Sequence, residues 1–192
     1  MLPKPERTIY MDHAATTPVD PRVVEAMLPY FSAQYGNPSS IYALGREAAG
    51  ALDAARKTVA DVLHTQPRDI IFTSGGSESD NLAIRGCAFA RRKQGKNHII
   101  TSPIEHHAVS HTVEQLVKEF GFESTIVPVD RYGVVDPAAV ERAITERTAL
   151  VSIMYANNEM GTIEPLAEIG AITRAKKVPF HTDAVQAGGV LD

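Results

Sequence analysis

Four short stretches of this chain carry polar side chains whose types and spacing suit them to hold an anion, a flat ring and a cation. The first, Thr73-Ser74-Gly75-Gly76-Ser77-Glu78-Ser79-Asp80-Asn81, runs through two glycines into a helical pattern. Glycines permit a tight turn, and Ser77 is placed to cap the helix while its first N–H groups point outward. That arrangement is a seat for a phosphate; the competing reading is an ordinary capped helix start. The stretch lacks the spacing and lysine of a P-loop and is not G-x-G-x-x-G, which weakens nucleotide readings.

The second stretch is Glu105-His106-His107-Ala108-Val109-Ser110-His111. His107 and His111 are four apart and can share a helix face, which invites a metal. No third ligand stands at suitable spacing and the zincin glutamate pattern is absent, so no metal is expected. A single exposed imidazole packing on an aromatic ligand is as economical, and His106 is the candidate. The third stretch, Tyr155-Ala156-Asn157-Asn158-Glu159-Met160-Gly161, has paired asparagines that either form a turn or offer amides to a ligand oxygen.

The fourth is His181-Thr182-Asp183-Ala184-Val185-Gln186. An aspartate closing a buried apolar strand is costly unless something cationic meets it. A protonated pyridine nitrogen is such a partner, and holding that proton makes the ring an electron sink. The plainer alternatives are a helix cap or an arginine pair.

Each stretch follows an apolar run of strand length. Strands are expected at residues 70–73, 98–101, 125–129, 150–154 and 178–182. Between them lie helix-spaced patterns. Ala48, Leu52, Ala55, Val59 and Val62 line one face, and Val109, Val113, Leu116 and Phe120 another. The 165–177 region opens with proline and ends in basic residues, as the helix dipole favours. Residues 18–31 read as one helix before the first strand, followed by a loop at 35–40. Alternating strands and helices predict an α/β fold with a mostly parallel sheet flanked by helices. Ligands of such sheets bind beyond the carboxyl ends of the strands, where the four stretches fall.

A chain of 192 residues, 44% hydrophobic and 22% charged, has the make-up of a globular protein with a core. Its net charge of -4 supplies no basic field for nucleic acid. No apolar run reaches membrane-span length, and the first residues lack the apolar centre of a secretory signal. With one cysteine, Cys87, no internal disulfide forms, and the cytoplasm is the expected compartment.

The residues also resemble a known family. Residues 12–21 (Asp12-His13-Ala14-Ala15-Thr16-Thr17-Pro18-Val19-Asp20-Pro21), Gly36-Asn37-Pro38-Ser39-Ser40, the run 72–83, Glu105-His106, Asn157-Asn158-Glu159-Met160-Gly161 and residues 181–186 resemble the NifS/IscS class of cysteine desulfurases. The likeness runs in order from about Tyr10 to the end. It implies a fold-type-I, class V pyridoxal 5'-phosphate enzyme, normally a homodimer. Such an enzyme converts L-cysteine to L-alanine and leaves the sulfur as a persulfide, for iron–sulfur cluster assembly or thio-modification by an acceptor protein.

Carried over by position, Gly76 and Ser77 would hold the cofactor phosphate. His106 would stack on the pyridine ring and is a candidate for moving protons during catalysis. Asn158 and Gln186 would hydrogen-bond the ring's 3′-oxygen side, and Asp183 would pair with the pyridine nitrogen. Gly76 and Ser77 stand where the family commonly has alanine and threonine; backbone donors plus a hydroxyl survive both changes. His13 stands where asparagine or tyrosine is frequent.

The resemblance divides the chain into an N-terminal segment, 1–15, and a partial cofactor-binding large domain, 16–192. The family's Ser-x-His-Lys motif, its nucleophilic cysteine and its carboxylate-binding arginine have no counterpart here. Lys176 and Lys177 fall on a helix before the Asp183 strand, and Cys87 falls mid-helix as a packing residue. The 70–73 strand would lack its flanking strand. The chain is therefore expected to be inactive alone and to need the complementary C-terminal half. The alternatives are another class V enzyme, an aminotransferase or selenocysteine lyase, or a non-catalytic fragment.

Overall fold

A computed structural model of the chain describes residues 9–191. They fall into two compact units that divide between Phe72 and Thr73. In the first unit the stretch expected as one helix is two, α1 (Pro21–Met27) and α2 (Pro29–Ser32). Pro29 has no N–H to continue the ladder, so the chain breaks at Leu28 and restarts with proline at the first helical position. Asp20 caps α1, its carboxylate accepting from Arg22 N at 2.8 Å.

Helix α3 (Ala43–Val62) carries the expected stripe, but Leu52, Val59 and Val62 remain exposed. Residues 70–73, expected as a strand, join no sheet: no strand lies beside them among the described residues. An extended segment without a neighbour cannot form a ladder. Instead Arg56 Nε donates to Ile70 O at 3.3 Å, and the Arg56 guanidinium sits 5.4 Å from the Phe72 ring centre.

The second unit begins with α4 (Gly76–Arg92), then β1 (His98–Thr101), α5 (His107–Phe120), β2 (Glu123–Ile126), α6 (Pro137–Ala143), β3 (Thr148–Ser152), α7 (Leu166–Ala175) and β4 (Phe180–His181). The four strands form one parallel sheet in the order β2-β1-β3-β4. Helices cover both faces, as parallel strands require. Ile99 and Leu150, paired in register, face Ile84 and Ala88 of α4 and Val109, Val113 and Leu116 of α5. Their neighbours Ile100 and Val151 face the other way, onto Val140 of α6 and Ile169 of α7. Period-two alternation thus splits one apolar run between two cores.

Helix α5 ends where Gly121 takes a left-handed φ of 69° and donates its N–H to Leu116 O, as a C-terminal glycine does. At the amino ends of the strands His98 is buried yet satisfied, with Nδ1 3.0 Å from Thr148 Oγ1 and Nε2 2.8 Å from Thr125 Oγ1. The chain leaves β1 toward β2 and leaves β3 toward β4, with α5 and α7 on opposite faces. The carboxyl ends of β1 and β3 therefore flank the crevice where α/β sheets bind ligands. Because the two faces are independent cores, Leu116→Ala should cost about 2–5 kcal/mol. Val62→Ala on exposed α3 should cost no more than about 0.5 kcal/mol. Urea unfolding midpoints of the two variants check this contrast.

Candidate cofactor site

The glycine turn enters α4 with Gly75 at the N-cap and no side chain capping the helix. Ser77 is not the cap expected from sequence; it lies in the first turn, exposed, because glycine takes the cap position. The Gly76, Ser77 and Glu78 N–H groups come before the first intrahelical acceptor and keep no side-chain partner, a helix-dipole seat for an anion. The loop is held from behind: Glu78 Oε2 accepts from Ser74 N at 2.6 Å, and Thr73 Oγ1 lies 2.6 Å from Ser79 Oγ. Those bonds hold Glu78 below the ordinary carboxyl range, so it is ionised and committed to Ser74.

Gly76 also marks a close approach. A Cβ built there would come 2.8 Å from Val185 Cγ2, so the turn lies directly on the 183–186 segment. In that segment Asp183 is buried. Its Oδ1 accepts from Val185 N at 3.0 Å and its backbone O from Tyr155 N at 2.8 Å. Oδ2 accepts no hydrogen bond among the described residues. A buried carboxylate with one oxygen free is a receptor for a cation or an N–H. Gln186, half-buried, follows on the same segment.

His106 is the N-cap of α5, its Nδ1 accepting from Ala108 N at 3.1 Å, with the ring exposed. It shares with Ser77, Asn81, Arg85 and His107 a groove of about 390 Å³. His107 and His111 do share a face, their rings 4.9 Å apart. Among the described residues no three His, Cys, Asp or Glu side chains cluster as metal ligands would.

The asparagine pair divides its labour. Asn157 is buried and is the turn former, its Oδ1 accepting from Glu159 N at 2.9 Å and Met160 N at 2.8 Å. Asn158 is exposed and makes no hydrogen bond among the described residues, so its amide remains free. Among the described residues no hydrogen bond or ion pair ties Asn158 to the other candidates. Gly76 and Asp183 meet through Val185, and Ser77 and His106 through the groove.

Sequence reasoning passed over a pair of straps that hold the strand ends together. Glu105 Oε1 accepts from Ser102 Oγ at 2.5 Å and reaches across to Met154 N at 3.1 Å. In return Asn157 Nδ2 donates to Ile104 O at 3.0 Å. The loop after β1 thus grips the one after β3, and is gripped by it. The signal was an acid beside the presenting histidine; only burial shows that it points inward.

Burial pushes Glu105 from 4.5 up to about 7, and the Asp183 and Glu164 charges add to that. A carboxyl raised on folding stays protonated while the unfolded chain ionises. Stability therefore falls as pH rises from 4.5 to about 7 and is level above, a loss of about 3 kcal/mol. Glu105→Gln keeps the acceptor and removes the titration. Melting temperatures across that window should shift steadily in the variant's favour; parallel curves would show that Glu105 does not titrate there.

The sequence profile described as "Aminotransferase class-V" matches residues 9–190. Cysteine desulfurase IscS of Methanosarcina thermophila is 56% identical over 183 residues, covering 95% of this chain and 45% of that protein. Cysteine desulfurase IscS of Clostridium botulinum (strain Hall) is 51% identical over 186 residues, covering 97% and 46%. Among solved structures, one titled NifS-like protein superposes with a TM-score of 0.89 at 44% identity, over 93% of this chain and 49% of that one. DndA from Streptomyces lividans superposes with a TM-score of 0.83 at 38% identity, over 95% and 51%. The chain spans about half the length of the curated relatives it matches. With the profile matched across nearly all its described residues, this chain belongs to the aminotransferase class-V family.

Proposed function

We propose that this chain supplies the cofactor cradle of a pyridoxal-phosphate-dependent cysteine desulfurase, with residues 16–192 as part of its large domain. The observation that carries the reading is the contact between an uncapped helix turn and a buried aspartate segment, Gly76 against Val185. It supports the reading because N–H donors suited to a phosphate lie beside a carboxylate whose free oxygen suits a ring nitrogen. The residues present fit such a group. The relatives named as cysteine desulfurases support the choice of reaction.

When bound, pyridoxal phosphate supplies an electron sink that weakens bonds at the substrate's α-carbon. The Gly76 and Ser77 N–H groups would bind its phosphate, with the Ser77 hydroxyl as a further donor. Asp183 Oδ2 would accept from the pyridine N–H and hold that proton in place. His106, exposed at the mouth of the groove, would lie against the ring face. Asn158 and Gln186 would hydrogen-bond the oxygen at the ring's 3′ position.

L-Cysteine is the proposed substrate and L-alanine the product, with the sulfur passed as persulfide to an acceptor protein. Cys87 does not serve as the sulfur nucleophile. It is half-buried in the core, and burial holds its thiol above the usual range, against the deprotonation a nucleophile needs. The family's Ser-x-His-Lys lysine and nucleophilic cysteine have no counterpart among these 192 residues. Assembly is as a homodimer in the cytoplasm. Among the described residues no helix is long and apolar enough to cross a membrane.

The test is a titration of the purified chain with pyridoxal phosphate, alone and with the second half of a class V relative. The expected result is saturable binding. With the complement, sulfide and alanine are released from L-cysteine under reducing conditions. Asp183→Asn should lower that turnover by about 100-fold or more. Absence of saturable binding would overturn the cradle, and pyruvate without sulfide would place the chain among other class V enzymes.

A further inference from the structure

The uncapped turn and Asp183 are joined by a second, deeper contact that no cofactor role explains. Ser152 at the end of β3, His181 at the end of β4 and Asp80 in α4 form one polar chain, a hydrogen bond at one end and an ion-pair contact at the other. Ser152 Oγ lies 2.8 Å from His181 Nδ1, and His181 Nε2 lies 3.4 Å from Asp80 Oδ1. Ser152 is 0% exposed and Asp80 4%. One polarity suits all three: the serine O–H donates to Nδ1, and the Nε2–H faces the Asp80 carboxylate.

The position of Asp80 is what calls for explanation. It continues the inward stripe of α4, four residues before Ile84 and eight before Ala88, both fully buried and apolar. Packing alone would place a hydrophobe there, and a buried acid is costly without a partner. The partner's place matters equally. The parallel ladder continues past β4, with Ile153 N donating to His181 O at 3.1 Å and Tyr155 N to Asp183 O at 2.8 Å. Alternation therefore puts His181 and Asp183 on one face, and Val185 follows in the turn that Asp183 caps. On α4, Gly76 and Asp80 are one turn apart on the same side. Two contacts thus bracket Asp183: Gly76 on Val185 above it, and Asp80 on His181 below.

The geometry points to a positioning role for this chain: Ser152, His181 and Asp80 set the span between the anion-binding turn of α4 and the carboxylate of Asp183. The inference rests on the cradle reading, in which a ligand with a phosphate at one end and a ring nitrogen at the other must reach both. A tie that fixes their separation makes binding at one end favour binding at the other. None of the three residues touches the ligand. They act through the helix turn and the strand end that they hold together.

Asp80→Leu completes the apolar stripe and removes the tie, so the chain can keep its fold without the device. Asp80→Asn keeps an acceptor for Nε2–H and is the conservative rescue. Binding of three probes to the chain is compared: pyridoxal phosphate, pyridoxal and inorganic phosphate. Asp80→Leu should weaken pyridoxal phosphate about tenfold, a coupling typical of contacting residues, while the two partial ligands change less than about threefold. Asp80→Asn should lie within about threefold of the wild type for all three.

Amide hydrogen exchange without ligand supplies the second readout. In Asp80→Leu the amides at 76–78 and at 183–186 should both exchange faster, with the α5 amides unchanged. Equal weakening of all three probes, or unchanged exchange at 183–186, overturns the inference. If the wild type binds pyridoxal phosphate no better than inorganic phosphate, the cradle reading falls. The exchange result then decides the tie separately.

Discussion

Burial of the central strands on both faces is the constraint from which the rest of this structure follows. β1 and β3 lie between two layers of helices, so no side chain along their middles can stay polar. Ile99, Ile100, Leu150 and Val151 meet that demand in register. Polar groups are pushed to the strand ends, and the two ends treat them differently. At the amino ends His98 is closed off by Thr125 and Thr148. At the carboxyl ends Thr101 Oγ1, Glu105 Oε2 and Thr182 Oγ1 are buried without a hydrogen-bond partner. Arg91 Nε is the buried group left without a partner near the amino ends, so the unpartnered oxygens gather at the carboxyl ends.

Electrostatics at the carboxyl ends favour one kind of ligand group. Glu105 and Asp183 are both buried, and the charge of Asp183 helps to push the Glu105 carboxyl toward neutrality. A neutral Glu105 can strap the β3 loop without adding a second negative charge. Asp183 is then the local charge, with one oxygen open. The uncapped turn of α4 presents the opposite sign, as helix N-termini do. A ligand matched to both carries its anion and its protonated nitrogen at separate ends.

Much of this was legible in the residues. The 98–101 strand and the Val109, Val113 and Leu116 stripe were readable because periodicity and length agree. The 18–31 stretch misled because its apolar pattern runs straight through Pro29, and only the missing N–H breaks it. Residues 70–73 have strand composition, yet a strand exists only where a neighbour pairs with it. Ser77 looked like a cap because serine favours that role; the backbone gave the place to Gly75. The Asp80–His181 pair was out of reach, since its partners are 101 residues apart and no local pattern joins them.

The candidate residues share one arrangement that a list of their types would not disclose. Three of these groups sit within two residues of a buried or half-buried polar side chain that fixes the backbone carrying them. Glu105 holds the loop that presents His106, Asn157 turns the loop that presents Asn158, and His181 ties down the segment that presents Asp183. Exposed side chains on loops are free to wander unless the backbone beneath them is fixed. Glu105 and Asn157 moreover hold each other's loops, so neither presenter can move without its neighbour. The rigid doubly covered sheet supplies the frame, and the buried acids and amides carry its rigidity outward to the few atoms that meet a ligand. Polar residues in the interior therefore stand where hydrophobes would pack better, each bonded to a segment that carries a candidate residue.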